Sequence, residues 1–442
     1  MLPRFEIAVR QRPVTVVGTP VARFLAPYAA VAGDLGADLS LTSGSATLAV
    51  QVVRGRVELA VTSGGATTRH RSRRHGRIGR DATQVALTLT GHQLTALVRE
   101  GDEWRARCRV DLRDRLDSHD PAWLAGLRAH GPQAGAFGQL GLRDIRVVTE
   151  AGGAPYVHGG DAQTVWLTAT STGPGFFDTA HTSVWSLERA TLAVTHRADL
   201  FFRRPDGRVH GDHATHLLRD GDRWLVATST WADFPADKKE RRHARVAVTV
   251  AESTADLLSG QHVLRAVPLD LPAAGPSVGV WDPHLVRTDP VRDGREGWLV
   301  GYVSARRFFD FHPVLASGRS LDELGLVAAA TDRTATEGTT LLRVDGDWRV
   351  LASDGADSPR RIRRRYPVLD TGRLRETGVL AAPYLSNIPW PTLVPPAAGD
   401  PAGEWLMVTF DGTPYGGRLA GYGTHGDVVT LRGVSRDRGP AR

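Results

Sequence analysis

An all-β chain, a β-sandwich of short strands followed by a five-bladed β-propeller, is what this sequence predicts, and three observations carry the prediction. A tryptophan-led segment of alternating apolar residues recurs five times, as WLTATST from Trp166, WLVATST from Trp224, WLVGYVS from Trp298, WRVLASD from Trp348 and WLMVTFD from Trp405. The spacings are 58, 74, 50 and 57 residues, a period that belongs to repeat architectures. Glycine (48) and proline (26) are abundant over 442 residues, as tight turns between short strands require.

Residues 1–148 lack the repeat. LSLTSGSATLAVQVV, RVELAVTS, QVALTLTGHQLTALVRE and WRARCRVDL alternate apolar and polar residues, with turns every 8 to 12 residues, the pattern of a β-sandwich. One helix is expected in DPAWLAGLRAHG, with Asp120 as N-cap and Gly131 as stop. The segment closes on GAFGQLGLRDIRVVTE. It resembles a concanavalin A or laminin-G jelly roll, whose last strand follows such a glycine-rich turn. From residue 149 onward the unit is strand, Gly/Asp turn, Trp-led strand, then further strands. It reads THLLRDGDRW, PHLVRTDPVRDGREGW, TTLLRVDGDW and PTLVPPAAGDPAGEW; Asp-Gly-Asp between strands is a hairpin signal. A sandwich whose strands happen to carry tryptophan is the plainer alternative, and the regular spacing argues against it.

Composition excludes several function classes. One cysteine, Cys108, permits neither an internal disulfide framework nor a thiolate metal cluster. No apolar run of membrane-spanning length occurs. The opening MLPRFEIAVRQRP carries charges where a signal peptide has its apolar region, so a cytoplasmic location is expected. The formal charge is +7, but only Lys238 and Lys239 are lysines, and the arginines are scattered among 48 acids. That distribution argues against a nucleic-acid partner.

The innermost strand of a propeller blade lines the central channel, so the residues leading it point into one funnel. Aligning the inner strands on Leu217, Leu285, Leu341 and Leu393 puts Ala214, Asp282, Gly338 and Trp390 at the leading position. His213, Trp281, Glu337 and Pro389 precede them. Two carboxylates, Asp282 and Glu337, thus emerge from neighbouring blades. Cleaving a glycosidic bond needs such a pair, one protonated to donate to the leaving oxygen and one ionised to activate water or attack. A nearby negative charge raises the acid toward working pH.

Asp282 in WDPHLV and Glu337 in TEGTTLL resemble the blade-leading motifs of the five-bladed family 43 glycoside hydrolases and their relatives. The resemblance implies Glu337 as general acid and Asp282 as the group that tunes it and orients the sugar. It also implies inversion if three carboxylates surround one sugar, with base and acid about 6.5–9.5 Å apart. The family's base should lead the preceding blade, where HGDHATHLL offers Ala214. Asp212, two residues earlier, His213 in its stead, or no base at all are the alternatives. A metal site on His210, Asp212, His213 and His216 is a lesser alternative, because strand alternation sends neighbours to opposite faces and no second ligand motif is evident. By resemblance the channel admits a structural calcium ion, with His425 a candidate contact, but no cofactor is required.

Trp281 and Trp390 are candidate platforms for sugar rings, or packing residues at the channel mouth. The loops GPGFFDTAH and RRFFDFHP offer Asp178, Arg306, Asp310 and His312 as substrate contacts, or are a shared turn motif. The basic runs DKKERRHAR and PRRIRRR are solvated surface, or they favour an anionic sugar. Cys108 is expected to be structural. A carbohydrate-active glycosidase is the leading expectation. A propeller that binds glycans without cleaving them, or one recruited to lyase, transferase or biosynthetic chemistry, is the rival.

Overall fold

The computed structural model describes residues 2–235, 237, 239–289, 293, 296–397, 399–400, 403–420 and 426–434. Its strands form seven sheets. Two belong to the N-terminal region. A six-stranded sheet runs in the spatial order Glu103–Asp111, Gln93–Glu100, Ala82–Thr90, Tyr28–Asp34, Gln133–Gln139, Thr15–Val17. A five-stranded one runs Arg128–His130, Leu39–Ser43, Ala46–Val53, Arg56–Ser63, Ala66–His70. Alternate residues of both sheets, among them Leu41, Leu48, Leu59, Leu87 and Leu97, share one apolar core, the outcome that period-2 patterning dictates. Cys108 is buried in that core.

The expected helix is present but short. It spans Pro121–Gly126, and the Asp120 carboxylate accepts the Trp123 N–H at 2.8 Å as N-cap. It stops before Gly131 because Arg128–His130 pairs with Leu39–Ser43 as an edge strand.

The other five sheets each pair a leading strand with a Trp-led one, and in one of them Thr149–Glu150 adds a short parallel strand on the leading strand's other side. The leading strands are Leu142–Val147, His213–Asp220, Gly279–Thr288, Thr336–Val344 and Thr392–Val394, and they number sheets one to five below. Trp166, Trp224, Trp298 and Trp348 lie in the second strands, and Trp405 immediately precedes its own. In three sheets the tryptophan lies opposite an arginine of the leading strand. The pairs are Arg219 with Trp224, Arg287 with Trp298 and Arg343 with Trp348. Each guanidinium sits 4.6–5.2 Å from a ring centroid, a cross-strand cation–π contact. That repeat explains the recurring Leu-Leu-Arg or Leu-Val-Arg before the turn.

Apolar seams join these sheets in a cycle. Trp166 and Val184 meet Leu217 and Trp224; Leu218 and Leu225 meet Leu285 and Trp298; Val286 and Leu299 meet Leu341 and Trp348. Leu342 and Leu351 meet Leu393 and Met407, and Val408 and Phe410 return to Leu142 and Val147. A ring closed by burial on every seam holds its centre in place.

The strand pairing divides the chain differently from the expected boundary at residue 148. Arg4–Gln11 is the outer strand of sheet five, antiparallel to Asp427–Val434. Leu142–Val147 is the leading strand of sheet one, paired with Thr164–Ser171. The sandwich therefore occupies an insertion between two strands of the ring. The reason is pairing across more than 400 residues, which alternation within EIAVRQ cannot announce. No described helix is long and apolar enough to cross a membrane.

Candidate functional site

Four of the leading strands carry the same irregularity. Their register with the second strand slips between Arg143 and Arg146, His213 and His216, Trp281 and His284, and Glu337 and Thr340. Inside each bulge one residue takes a left-handed backbone: Asp144 (φ 50°), Ala214 (60°), Asp282 (57°) and Gly338 (74°). Glycine adopts this at no cost and aspartate tolerates it, while alanine loses about 1 kcal/mol. A bulge re-aims its side chain out of the pleat, here into a cavity at the ring's centre.

That cavity has a volume of about 960 Å³, and Asp144, Asp282 and Glu337 all line it. The Thr170 hydroxyl donates to Asp144 Oδ2 at 2.8 Å, and Arg143 Nε stands 3.9 Å from Oδ1. Thr170 Oγ1 also accepts the Ala214 N–H, and Ser229 Oγ accepts that of Asp282, so each leading position is tied to the sheet before it. Burial, then the charges of Glu337 and Asp144, hold the Asp282 carboxyl well above the usual range. Its Oδ2 is buried without a hydrogen-bond partner. Burial and the Asp144 charge push Glu337 up to about 8, against the pull of Arg143 and the neighbouring Trp390. At neutral pH Glu337 therefore holds its proton, and the Asp282 carboxyl is biased toward its protonated form.

Beneath the carboxyl groups, two residues beyond each bulge, lies a polar floor. Arg146 is fully buried and donates to the backbone oxygens of Asp282 and Thr339 and to Thr340 Oγ1, at 2.8–3.1 Å. Its guanidinium lies 4.5 Å from the Trp390 ring centroid. Burial lowers it to about 10, with Asp282 and Asp144 pulling it back up. The rings of His216 and His284 stack at 3.9 Å and 15°, and burial keeps both imidazoles neutral.

Of the residues singled out by sequence, Glu337, Asp282, His213, Trp281 and Trp390 line the cavity together. Asp212 is not among the lining residues. It is fully buried, with Arg204 Nε 2.9 Å from Oδ2 and Nη2 2.5 Å from Oδ1, so its charge is already neutralised by a bidentate partner. His213 lines the wall with its Nδ1–H on the Gly211 carbonyl, and burial lowers its pKa.

Asp178, Arg306, Asp310 and His312 also stand apart from the lining. Asp178 accepts from Gln93 and Arg113, joining ring to sandwich. Arg306 pairs with Asp310 at 2.6 Å beside the cavity mouth. His312 is buried with neither ring nitrogen hydrogen-bonded. Among the described residues of the two basic runs, only Arg364 reaches the lining. His425 lies outside the described residues. Among the described residues no group of three His, Cys, Asp or Glu side chains is placed to hold a metal ion.

Asp144 is the residue that sequence reasoning missed. By sequence GLRDIRVV reads as the end of the sandwich, which leaves its strand outside the alignment of leading strands. The signal was available. Asp144-Ile-Arg-Val has the same form as Asp282-Pro-His-Leu and Ala214-Thr-His-Leu: the bulge residue, then a large basic or imidazole side chain two positions on, then an apolar residue.

No family model matches the chain, and no curated protein sequence is similar to it. Among solved structures it is similar to the levansucrase of Bacillus subtilis, at 11% identity over 67% of this chain and 86% of that one, with a TM-score of 0.45. It is similar to a variant of the B. megaterium levansucrase at 10% identity, covering 67% and 85%, with a TM-score of 0.44. A β-xylosidase is similar at 12% identity, covering 66% and 92%, with a TM-score of 0.41.

Proposed function

We propose that this chain is a carbohydrate-active enzyme that cleaves a glycosidic bond by carboxyl acid/base catalysis, on a five-bladed propeller with a jelly-roll sandwich inserted after its first strand. The observation that carries the reading is the convergence of Asp144, Asp282 and Glu337 on one cavity, with Glu337 pushed up to about 8 beside a second carboxylate. Glu337 is the general acid. It holds a proton at neutral pH and donates it to the leaving oxygen as the bond to the anomeric carbon breaks. Asp144, steadied by Thr170 and Arg143, is the base that takes a proton from the attacking water, which inverts the anomeric centre. Asp282, its carboxyl biased toward the protonated form by burial and its neighbours, offers its unpartnered oxygen to a sugar hydroxyl, orienting the ring.

The substrate is a neutral sugar. With Glu337 holding its proton, the lining sets Asp144, Asp357 and the Arg10-paired Asp411 against Arg143 and Arg364, so it carries no excess of positive charge to draw an anion. No cofactor enters the scheme. Asp144 fills the role for which Ala214 left no candidate, and this weakens the binding-only reading.

The test is hydrolysis of a panel of aryl glycosides (arabinofuranoside, xyloside, galactoside, fructoside analogues and uronides), with Glu337→Gln as control. Turnover that the substitution abolishes supports the assignment. Binding without turnover on every substrate would move the chain to the non-hydrolytic class.

A further inference from the structure

The cavity has two unlike halves. Its polar half comes from sheets four, five and one, with Arg143, Arg364, Tyr384, Ser386, Asn387 and Asp411. The other half is a continuous aromatic wall built from four separate chain segments. Phe176 and Phe177 come from the loop after the second strand of sheet one, and Trp231 and Phe234 from the corresponding loop of sheet two. Trp281 leads sheet three, and Phe308, Phe309 and Phe311 come from its second hairpin. The rings touch one another: Phe177 and Trp231 at 4.7 Å, Trp231 and Trp281 at 5.2 Å, Phe234 and Phe308 at 4.7 Å, Trp281 and Phe311 at 5.7 Å.

Sugar sites use one or two aromatic faces with hydrogen-bonding groups between them, because each hydroxyl taken from water needs a partner. A wall of eight rings supplies few. A saccharide unit placed there would strand its hydroxyls, whereas an apolar group would gain from burial. A second observation points the same way. Phe309 stands at the mouth 64% exposed and in a left-handed backbone (φ 73°). Exposure and conformation both cost stability for phenylalanine at that place, where asparagine or glycine would be at home.

The geometry points to an aglycone subsite: the substrate is a glycoside of an apolar alcohol, its sugar on the polar half and its aglycone against the aromatic wall. This rests on the hydrolytic reading for its chemistry but not for its binding, so the two can fail separately.

The binding arm uses 2-naphthol in equilibrium dialysis. The wild type should bind it saturably, and Phe308→Ala and Phe309→Ala should each weaken it by about tenfold. Phe309, being exposed, can be replaced without loss of fold, and unfolding temperature checks both variants. The kinetic arm compares methyl, hexyl and 2-phenylethyl glycosides of whichever sugar the panel identifies, all with alkoxide leaving groups of similar basicity. Rising apolar size should raise kcat/KM by about tenfold or more. No binding of 2-naphthol, or a disaccharide outpacing the hexyl glycoside, would overturn the proposal. Naphthol binding that depends on Phe309, in a protein that hydrolyses nothing, would keep the subsite and sink the hydrolytic reading.

Discussion

Asp144 and Ala214 occupy the same place in consecutive sheets. Each sits in a bulge with a left-handed backbone, each is held through Thr170, and each precedes a buried basic or imidazole side chain by two positions, Arg146 or His216. One presents a carboxylate to the cavity and the other a methyl group. Close to Ala214 in sequence lies Asp212, an aspartate with no cavity face at all, clamped by Arg204. Register within the ring, and not nearness along the chain, decides which carboxylate can do chemistry.

The comparison can be broken or sharpened in several ways. The largest effect belongs to Glu337, the partner that only a cavity-facing base can serve. Glu337→Gln should cut kcat for a poor leaving group by about a thousandfold or more. The wild-type profile should show the matching limb: the acid is protonated below its value of about 8, so kcat/KM holds on the acidic side and falls as pH rises through 8. A profile still rising at pH 9 would remove Glu337 from that role.

Asp212 should behave as a structural ion pair. Asp212→Ala leaves the Arg204 charge short of a partner and should cost about 3 kcal/mol in denaturant unfolding, and an unchanged midpoint would refute the clamp. Arg143 precedes Asp144 where the buried His213 precedes Ala214. Its charge holds Glu337 down, so Arg143→Gln should move the alkaline limb upward by about half a pH unit to one unit. A downward shift would contradict the electrostatics. Smallest of all, Ala214→Gly relieves the left-handed strain and should stabilise the protein by up to about 1 kcal/mol in the same unfolding assay. A loss of stability would mean the strain is not felt there.

What could be read from the sequence was whatever repeats locally. The Trp-led segments are all in the ring sheets, and the Leu-Leu-Arg stretches face them because pairing across a tight turn is a short-range matter. Asp282, Glu337, Trp281 and Trp390 were found by the same alignment and do meet in one cavity. Sheet one escaped because no hairpin joins its first two strands. Val147 and Trp166 are separated by a long loop, and the turn signal that marked the other sheets was missing. Arg4–Gln11 escaped because its partner lies at the opposite end of the chain. The aromatic wall is assembled from four distant segments, so the paired Phe-Phe-Asp loops hinted at their rings while drawing attention to Asp178 and Asp310, whose carboxylates are occupied elsewhere.

The most direct test sets the two aspartates against each other: kcat and thermal unfolding of Asp144→Asn and Asp212→Asn, on the best substrate of the glycoside panel. Asp144→Asn should lose about a thousandfold or more in kcat at an almost unchanged unfolding temperature, while Asp212→Asn should unfold earlier yet turn over normally per folded molecule. If Asp212→Asn abolishes turnover and Asp144→Asn does not, the site assembled here around Asp144 is wrong.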